Sequence, residues 1–309
     1  MSAIIGFPSA PTGSVRPQIQ LVAGELAAAM REAEAHLIAA NAGIYQRGGQ
    51  LVRVAQFDPA ALGPKTPVIT RAAKIPVIMP VTRDYLLLVL SEHIDFQRFD
   101  GREKKLRRVD PPGALASLML AGAGHWKYPT LRGIVSAPTL RSDGSLLNTP
   151  GYDARSQLLL WNDGTEWPCI APRPTREIAE VSLEVTTLLL EEFEFQDGPN
   201  GASAAAAKSA IISACIRHAL PTAPAYGLNA HKAGSGKTTL GHTIARIPTG
   251  NNAAVMPLAD EENEVRKTLL AILMAADLVV LVDNINAPVD SAALCAALTS
   301  ESYKDRVLG

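Results

Sequence analysis

Ala230-His-Lys-Ala-Gly-Ser-Gly-Lys-Thr-Thr-Leu240 is the stretch on which the reading of this chain turns. Its core, Gly234-Ser-Gly-Lys-Thr238, lies between an apolar run (224–230) with a strand pattern and a run (237–247) with a helix pattern. A phosphate-binding loop needs that order. Glycine lets the backbone turn tightly and aim consecutive N–H groups at an anion. The following helix adds the partial positive charge of its N-terminus. In this reading Ala233, Gly234, Ser235, Gly236, Lys237, Thr238 and Thr239 line the phosphates. Lys237 reaches the β- and γ-phosphates, and the Thr238 hydroxyl ligates Mg²⁺. The expected cofactors are therefore ATP and Mg²⁺. The strict pattern GxxxxGK[ST] asks for glycine at 231, where this chain has His231. That glycine serves loop geometry rather than chemistry.

Downstream, Leu278-Val-Val-Leu-Val-Asp283-Asn284 is an apolar strand pattern that ends in an acidic residue. Asp283 comes 46 residues after Lys237 and is expected to hold Mg²⁺ opposite Thr238. Asn284 stands where many ATPases carry a catalytic Glu. An amide cannot take a proton from water, although it can orient one. Lys237, Asp283 and Asn284 thus form the expected catalytic set. Glu261, Glu262 and Glu264 are further candidates for the base, or else favourable charges in the first turn of a helix. Helix patterns at 176–192 and 202–220 come first. Strand patterns at 224–230, 253–258, 278–282 and 303–308 then alternate with helix patterns at 237–247, 260–275 and 291–299. Such alternation predicts a parallel sheet covered by helices.

Upstream the texture differs. Residues 168–174 hold three prolines and read as a linker. The expected domains are a flexible arm (1–16), an α+β accessory domain (17–172) and a partial α/β nucleotide domain (173–309). Within the accessory domain the pattern predicts one long helix over 18–41, a hairpin about Gly48-Gly49, strand over 68–81 and helix over 83–94. Gly101-Arg-Glu-Lys-Lys-Leu-Arg-Arg-Val-Asp110 has five basic residues in ten. It reads as a solvated loop or as a nucleic-acid contact without interleaved aromatics. Pro111-Pro112 opens a short helix, and 131–161 is rich in strand and turn signals.

The chain has 309 residues, 47% hydrophobic and 19% charged, which excludes wholesale disorder. Lys and Arg number 29 against 30 Asp and Glu, for a net charge of −1. Any hold on nucleic acid must be a local patch. Cys169, Cys215 and Cys295 lack metal spacing and are expected to be reduced, mostly buried thiols. The six histidines form no HxxxH or HExxH pair. No apolar run reaches the roughly 18 residues of a membrane span, and no secretory leader pattern is seen, so a cytoplasmic protein is expected.

The run from about Phe193 to Gly309 resembles the ATPase core of the primase–helicase replication proteins of bacteriophages and related mobile elements. The matching pieces are Phe193-Glu-Phe195, Leu220-Pro-Thr-Ala-Pro224, Ala233-Gly-Ser-Gly-Lys-Thr238, Asp260-Glu-Glu-Asn-Glu-Val-Arg-Lys267, Val282-Asp-Asn284, Leu298-Thr299 and Asp305-Arg-Val-Leu-Gly309. Upstream, Tyr45-Gln-Arg-Gly-Gly-Gln-Leu-Val52, Val109-Asp-Pro-Pro112, Ala137-Pro-Thr-Leu-Arg-Ser-Asp-Gly-Ser145 and Pro150-Gly-Tyr-Asp153 resemble the region that precedes it there. The resemblance implies an AAA+-like or superfamily-three-like P-loop NTPase. Such an enzyme forms a homo-oligomeric ring, acts on DNA during replication in the bacterial host cytoplasm, and works with a primase partner or fused domain. It also implies a sensor strand and an arginine finger beyond Gly309, hence a truncated core; Arg306 is the only basic residue near the end in a position to substitute. No carboxylate set for primase chemistry is seen, since Asp95, Asp100 and Asp110 are scattered. Two other readings stay open: a nucleotide-dependent switch that hydrolyses little, and a small-molecule kinase.

Overall fold

The computed structural model describes residues 15–56, 75–162, 164–171, 173–232, 234–283, 285, 288–300 and 303. Contacts divide the chain into two compact units. The first takes the described residues up to Ala55 together with Ile78–Arg132, and the second those of Gln56–Val77 and Gly133–Gly309. Both are mixed α/β, with small sheets that are partly parallel and, among the described residues, no closed barrel.

The first unit is built from β1 (Gln18–Gln20), α1 (Leu26–Ala39), β2 (Ile44–Arg47), β3 (Gln50–Gln56), β4 (Pro76–Pro80), α2 (Arg83–His93), β5 (Asp95–Asp100), β6 (Lys105–Val109) and α3 (Gly113–Ala121). The long helix expected over 18–41 is interrupted. Gln18–Gln20 instead pairs in parallel with Asp95–Gln97 and buries Ile19, and Gly24, at φ +87°, turns the chain before α1. Gly48 and Gly49 both have positive φ, as a two-residue turn between β2 and β3 requires. Thr82 caps α2 by accepting the Tyr85 N–H at 3.2 Å. Leu37, Leu86, Leu90, Ile94, Phe96, Leu115 and Met119 fill the core between the three helices and β1. The basic segment 101–110 is a turn only over 101–104. Five cross-strand pairs, from Phe96↔Val109 to Asp100↔Lys105, make Lys105–Val109 the second strand of a ribbon.

The second unit begins with short strands: β7 (Gly133–Val135), β8 (Thr139–Leu140), β9 (Leu146–Leu147), β10 (Gly151–Asp153) and β11 (Leu158–Leu160). β11 pairs in parallel with β7 and antiparallel with β10, and β8 pairs with β9. Their turns are stapled by one side chain. Arg141 donates from Nε and Nη2 to both Asp153 oxygens at 2.9 and 3.0 Å, and from Nη1 to the Leu146 carbonyl at 2.6 Å. Asp153 also accepts the Ser156 N–H and hydroxyl. These bonds, the guanidinium first, hold its carboxyl well below the usual range.

There follow α4 (Arg176–Leu189), α5 (Ala202–Cys215), α6 (Lys237–Thr249), β12 (Ala254–Pro257), α7 (Glu262–Ala275), β13 (Val280–Asp283) and α8 (Ala292–Thr299). Helices thus form in each region where their pattern predicts them. α4 buries none of its residues and leaves Ile178, Val181, Val185 and Leu188 exposed along one face. The strand expected over 224–230 does not form. Pro221 and Pro224 lack the N–H a ladder needs. The segment instead lies on α5 through Tyr226, whose hydroxyl is 3.0 Å from those of Ser209 and Ser213. The strand expected over 303–308 lies outside the described residues apart from Tyr303. Cys169 and Cys295 are exposed and only Cys215 is half-buried, so the expectation of mostly buried thiols fails. Cys169 sits in an irregular exposed segment between prolines and Cys295 on the open side of α8. Among the described residues no helix is long and apolar enough to cross a membrane.

The side chains of Arg141 and Asp153 are 14% and 15% exposed. Arg141→Met is expected to cost about 1–2 kcal/mol, since it strands a carboxylate and several hydrogen bonds. A depressed carboxyl stabilises the fold above its unfolded value, about 4, and loses that contribution as pH falls through its folded value. Urea unfolding of the parent and the variant should therefore differ most near neutral pH and converge as the pH drops below about 4.

Candidate phosphate-binding site

Gly234 and Gly236 have φ of +76° and +81°, in the left-handed region where a side chain is strained. Gly236 is the N-cap of α6 and supplies no side-chain cap, so the first helical hydrogen bond runs from the Leu240 N–H to its carbonyl at 2.8 Å. The N–H groups of Lys237, Thr238 and Thr239 precede that bond and have no acceptor within the helix. Thr238 and Thr239 are exposed, and Lys237 is half-buried. His231 and Lys232 are also exposed. Ala233 lies outside the described residues.

The inner face of α6 holds this terminus in place. Leu240 and Ile244 pack with Ala207, Ala210, Ile211 and Ala214 of α5, and Phe193, Tyr226 and Leu228 join the cluster. Alanine on α5 lets the two helices approach closely. A Cβ built on Gly236 would stand 3.6 Å from the Phe193 ring, so that ring lies against the loop. A Cβ built on Gly241 would stand 2.9 Å from Leu281 Cδ1, so a side chain at this position requires the end of Leu281 to shift. These are the positioning residues that the sequence reading passed over. Their available signal was a small residue at 241 between the apolar pair Leu240 and Ile244 on a helix face.

The direction of α6 follows from the same contacts. Gly241 meets Leu281, whereas Ala245 and Thr249, later in the helix, share a cavity with Leu278 and Val279, earlier in the chain. α6 therefore runs antiparallel to β13, and its N-terminus faces the end of the strand where Asp283 sits. β12 and β13 are parallel and aligned from Ala254↔Val280 to Pro257↔Asp283. Lys237, Thr238 and Asp283 thus share one end of this layer, the C-terminal strand end where open α/β sheets bind ligands. The cavity beside Ala245 and Leu278 lies at the other end. Asn284 lies outside the described residues.

The neighbouring carboxylates have structural work. Glu262 accepts the Ala293 N–H at 2.8 Å, which together with the Ser291 hydroxyl lowers its pKa and ties α7 to the start of α8. Glu264 pairs with Lys267 at 2.7 Å. Both serve helix ends and surface charge, as first-turn carboxylates do. Among the described residues no group of three or more His, Cys, Asp or Glu side chains is placed to hold a metal ion. A donor set of one hydroxyl, one carboxylate and substrate phosphates is what Mg²⁺ accepts. The chain matches no family model, no curated protein and no solved structure in the three comparisons made.

Gly241→Val inserts branched carbon where the Leu281 side chain already sits. It should lower the stability of the second unit by about 1–3 kcal/mol. Thermal unfolding followed by circular dichroism would detect this, and an unchanged transition would mean that α6 does not depend on this contact.

Proposed function

We propose that this chain binds Mg·ATP at the Gly234–Thr238 loop and, within a complete assembly, hydrolyses it. The observation that carries the reading is the convergence at one end of α6. Two glycines with positive φ deliver Lys237 and Thr238 to an uncapped helix N-terminus, on the side of the sheet where Asp283 ends β13. Every donor there suits a phosphate chain. The backbone N–H groups and the Lys237 ammonium neutralise anionic oxygen. The Thr238 hydroxyl and the Asp283 carboxylate fit two positions of an octahedral Mg²⁺ shell. Bound Mg²⁺ would offset phosphate charge as it builds up in phosphoryl transfer. The protein's own share is positioning and fixed electrostatics, because little covalent chemistry falls to the side chains.

The resemblance to phage-type primase–helicase proteins supports the longer form of the proposal: ATP turnover in a homo-oligomeric ring that moves or remodels DNA. Asn284 supports a second reading, a nucleotide-dependent switch, because an amide at that position orients water without accepting its proton. DNA-stimulated phosphate release supports the first form, and partner exchange without turnover the second.

Titration with a fluorescent ATP analogue tests the site itself. The parent chain should bind saturably, and Lys237→Ala should bind at least about tenfold more weakly, as loss of a charge-assisted contact of 1.4 kcal/mol or more requires. Asp283→Asn should keep binding in chelator but lose most of the gain that Mg²⁺ gives the parent. Equal affinities for parent and Lys237→Ala would overturn the assignment.

A further inference from the structure

The ribbon formed by β5 and β6 carries features that the nucleotide site does not use. Beyond the buried Phe96 its two strands continue outward, and every residue from Lys105 to Arg108 is exposed. Between Asp95 and Asp110 there are six cations and four carboxylates. Three of the four carboxylates, Asp95, Asp100 and Glu103, are already engaged. Asp95 pairs with Arg108 at 2.7 Å and with Arg16 at 3.8 Å. Asp100 and Glu103 both pair with Arg107, and Glu103 also pairs with Lys105. Arg98, Arg102 and Lys104 are exposed, and none of them pairs with a carboxylate among the described residues. Arg98 also stands directly across the ladder from Arg107. Like charges in that position repel, and a bound anion would relieve the repulsion.

The other face of the ribbon is apolar at its middle. Phe99 and Leu106 are a direct cross-strand pair, 55% and 45% exposed. Gln97 and Arg108, two pairs along the ladder, share that face, and Arg98 and Arg107 between them lie on the opposite one. The sequence pattern showed a basic run without interleaved aromatics. The register supplies the aromatic from the partner strand, so cations and one open ring occupy the same few residues.

We propose that the β5–β6 ribbon is a binding site for single-stranded nucleic acid, in which Phe99 stacks on an unpaired base and the strand passes over the turn, its phosphates contacted by Arg102 and Lys104 there and by Arg98 on the reverse face. Unpaired cations in the turn next to a solvent-facing ring, with one more on the reverse face, are what a strand that passes over the ribbon tip can use. A duplex keeps its base faces covered and would leave Phe99 without a partner. The proposal does not rest on the nucleotide reading, since the ribbon belongs to the first unit.

The test is fluorescence anisotropy of the full chain with a short fluorescein-labelled oligothymidylate over a range of salt. Saturable binding is expected. The combined change Arg98→Gln, Arg102→Gln and Lys104→Gln should flatten the slope of log K against log salt by about 2, the release expected for three single-strand phosphate contacts. Phe99→Ala should weaken binding about tenfold at fixed salt with the slope unchanged. Lys237→Ala should bind the oligonucleotide like the parent, so failure of the nucleotide site leaves this result readable. Both ribbon variants alter exposed side chains, and circular dichroism checks that they fold. Three results would overturn the proposal: no saturable binding, an unchanged salt slope in the triple variant, or a duplex bound as well as the single strand with Phe99→Ala silent. An acidic protein that captures the ribbon while the oligonucleotide does not bind would also count against it.

Discussion

α6 lies against β13 with glycine at 241, where the end of the Leu281 side chain fills the space that a side chain on the helix would take. A single methyl group there would meet Leu281 at less than van der Waals separation. From that approach the rest of the site follows. It fixes the helix axis relative to the strand, and with it the end of the sheet toward which the helix N-terminus points. Leu240 and Ile244 then reach the alanine face of α5, and burial of such side chains contributes about 1.5–3 kcal/mol each. The helix is held by packing along its inner face, which leaves its first turn free of structural duty. Orphan N–H groups that would be costly in a core become an asset where an anion is to sit.

The loop that enters this helix is shaped by backbone freedom and by one ring. Gly234 and Gly236 adopt conformations that cost other residues about 1–2 kcal/mol each. Phe193 lies beneath Gly236. The chemistry of the site and its support therefore come from separate residues. Lys237, Thr238 and Asp283 supply charge and oxygen, while Phe193, Gly236 and Gly241 decide where those groups stand. The ribbon in the other unit follows a different logic, in which the register sets Phe99 across from Leu106, within the basic run of β6.

Much of the second unit was legible because its helices form where helix-patterned runs lie and because β12 and β13 are short apolar runs. Loop and helix start were legible because only glycine tolerates the required φ, and nature of side chain and backbone agree there. The segment 224–230 misled because an apolar run reads alike whether its residues pair in a sheet or pack as coil; Pro221 and Pro224 were the counter-signal. The segment 18–41 misled because Ile19 fits a helix face as well as a parallel strand, and only the distant Asp95–Gln97 partner decides between them. The ribbon could not be read from residues 101–110 alone, since half of it, with Phe99, precedes that run. The roles of Glu262 and Gly241 were hidden for a related reason. Each depends on a contact about 30 to 40 residues away, with Ala293 and Leu281, and local pattern carries no trace of such contacts.

Amide hydrogen exchange across residues 231–240, with and without Mg·ATP, tests the central claim most directly, because it observes the N–H groups said to hold the phosphates. Exchange at Ser235 to Thr239 should slow when Mg·ATP is added and stay unchanged with adenosine, which offers no phosphate. Exchange that is unaltered by saturating Mg·ATP, or slowed equally by adenosine, would contradict the account.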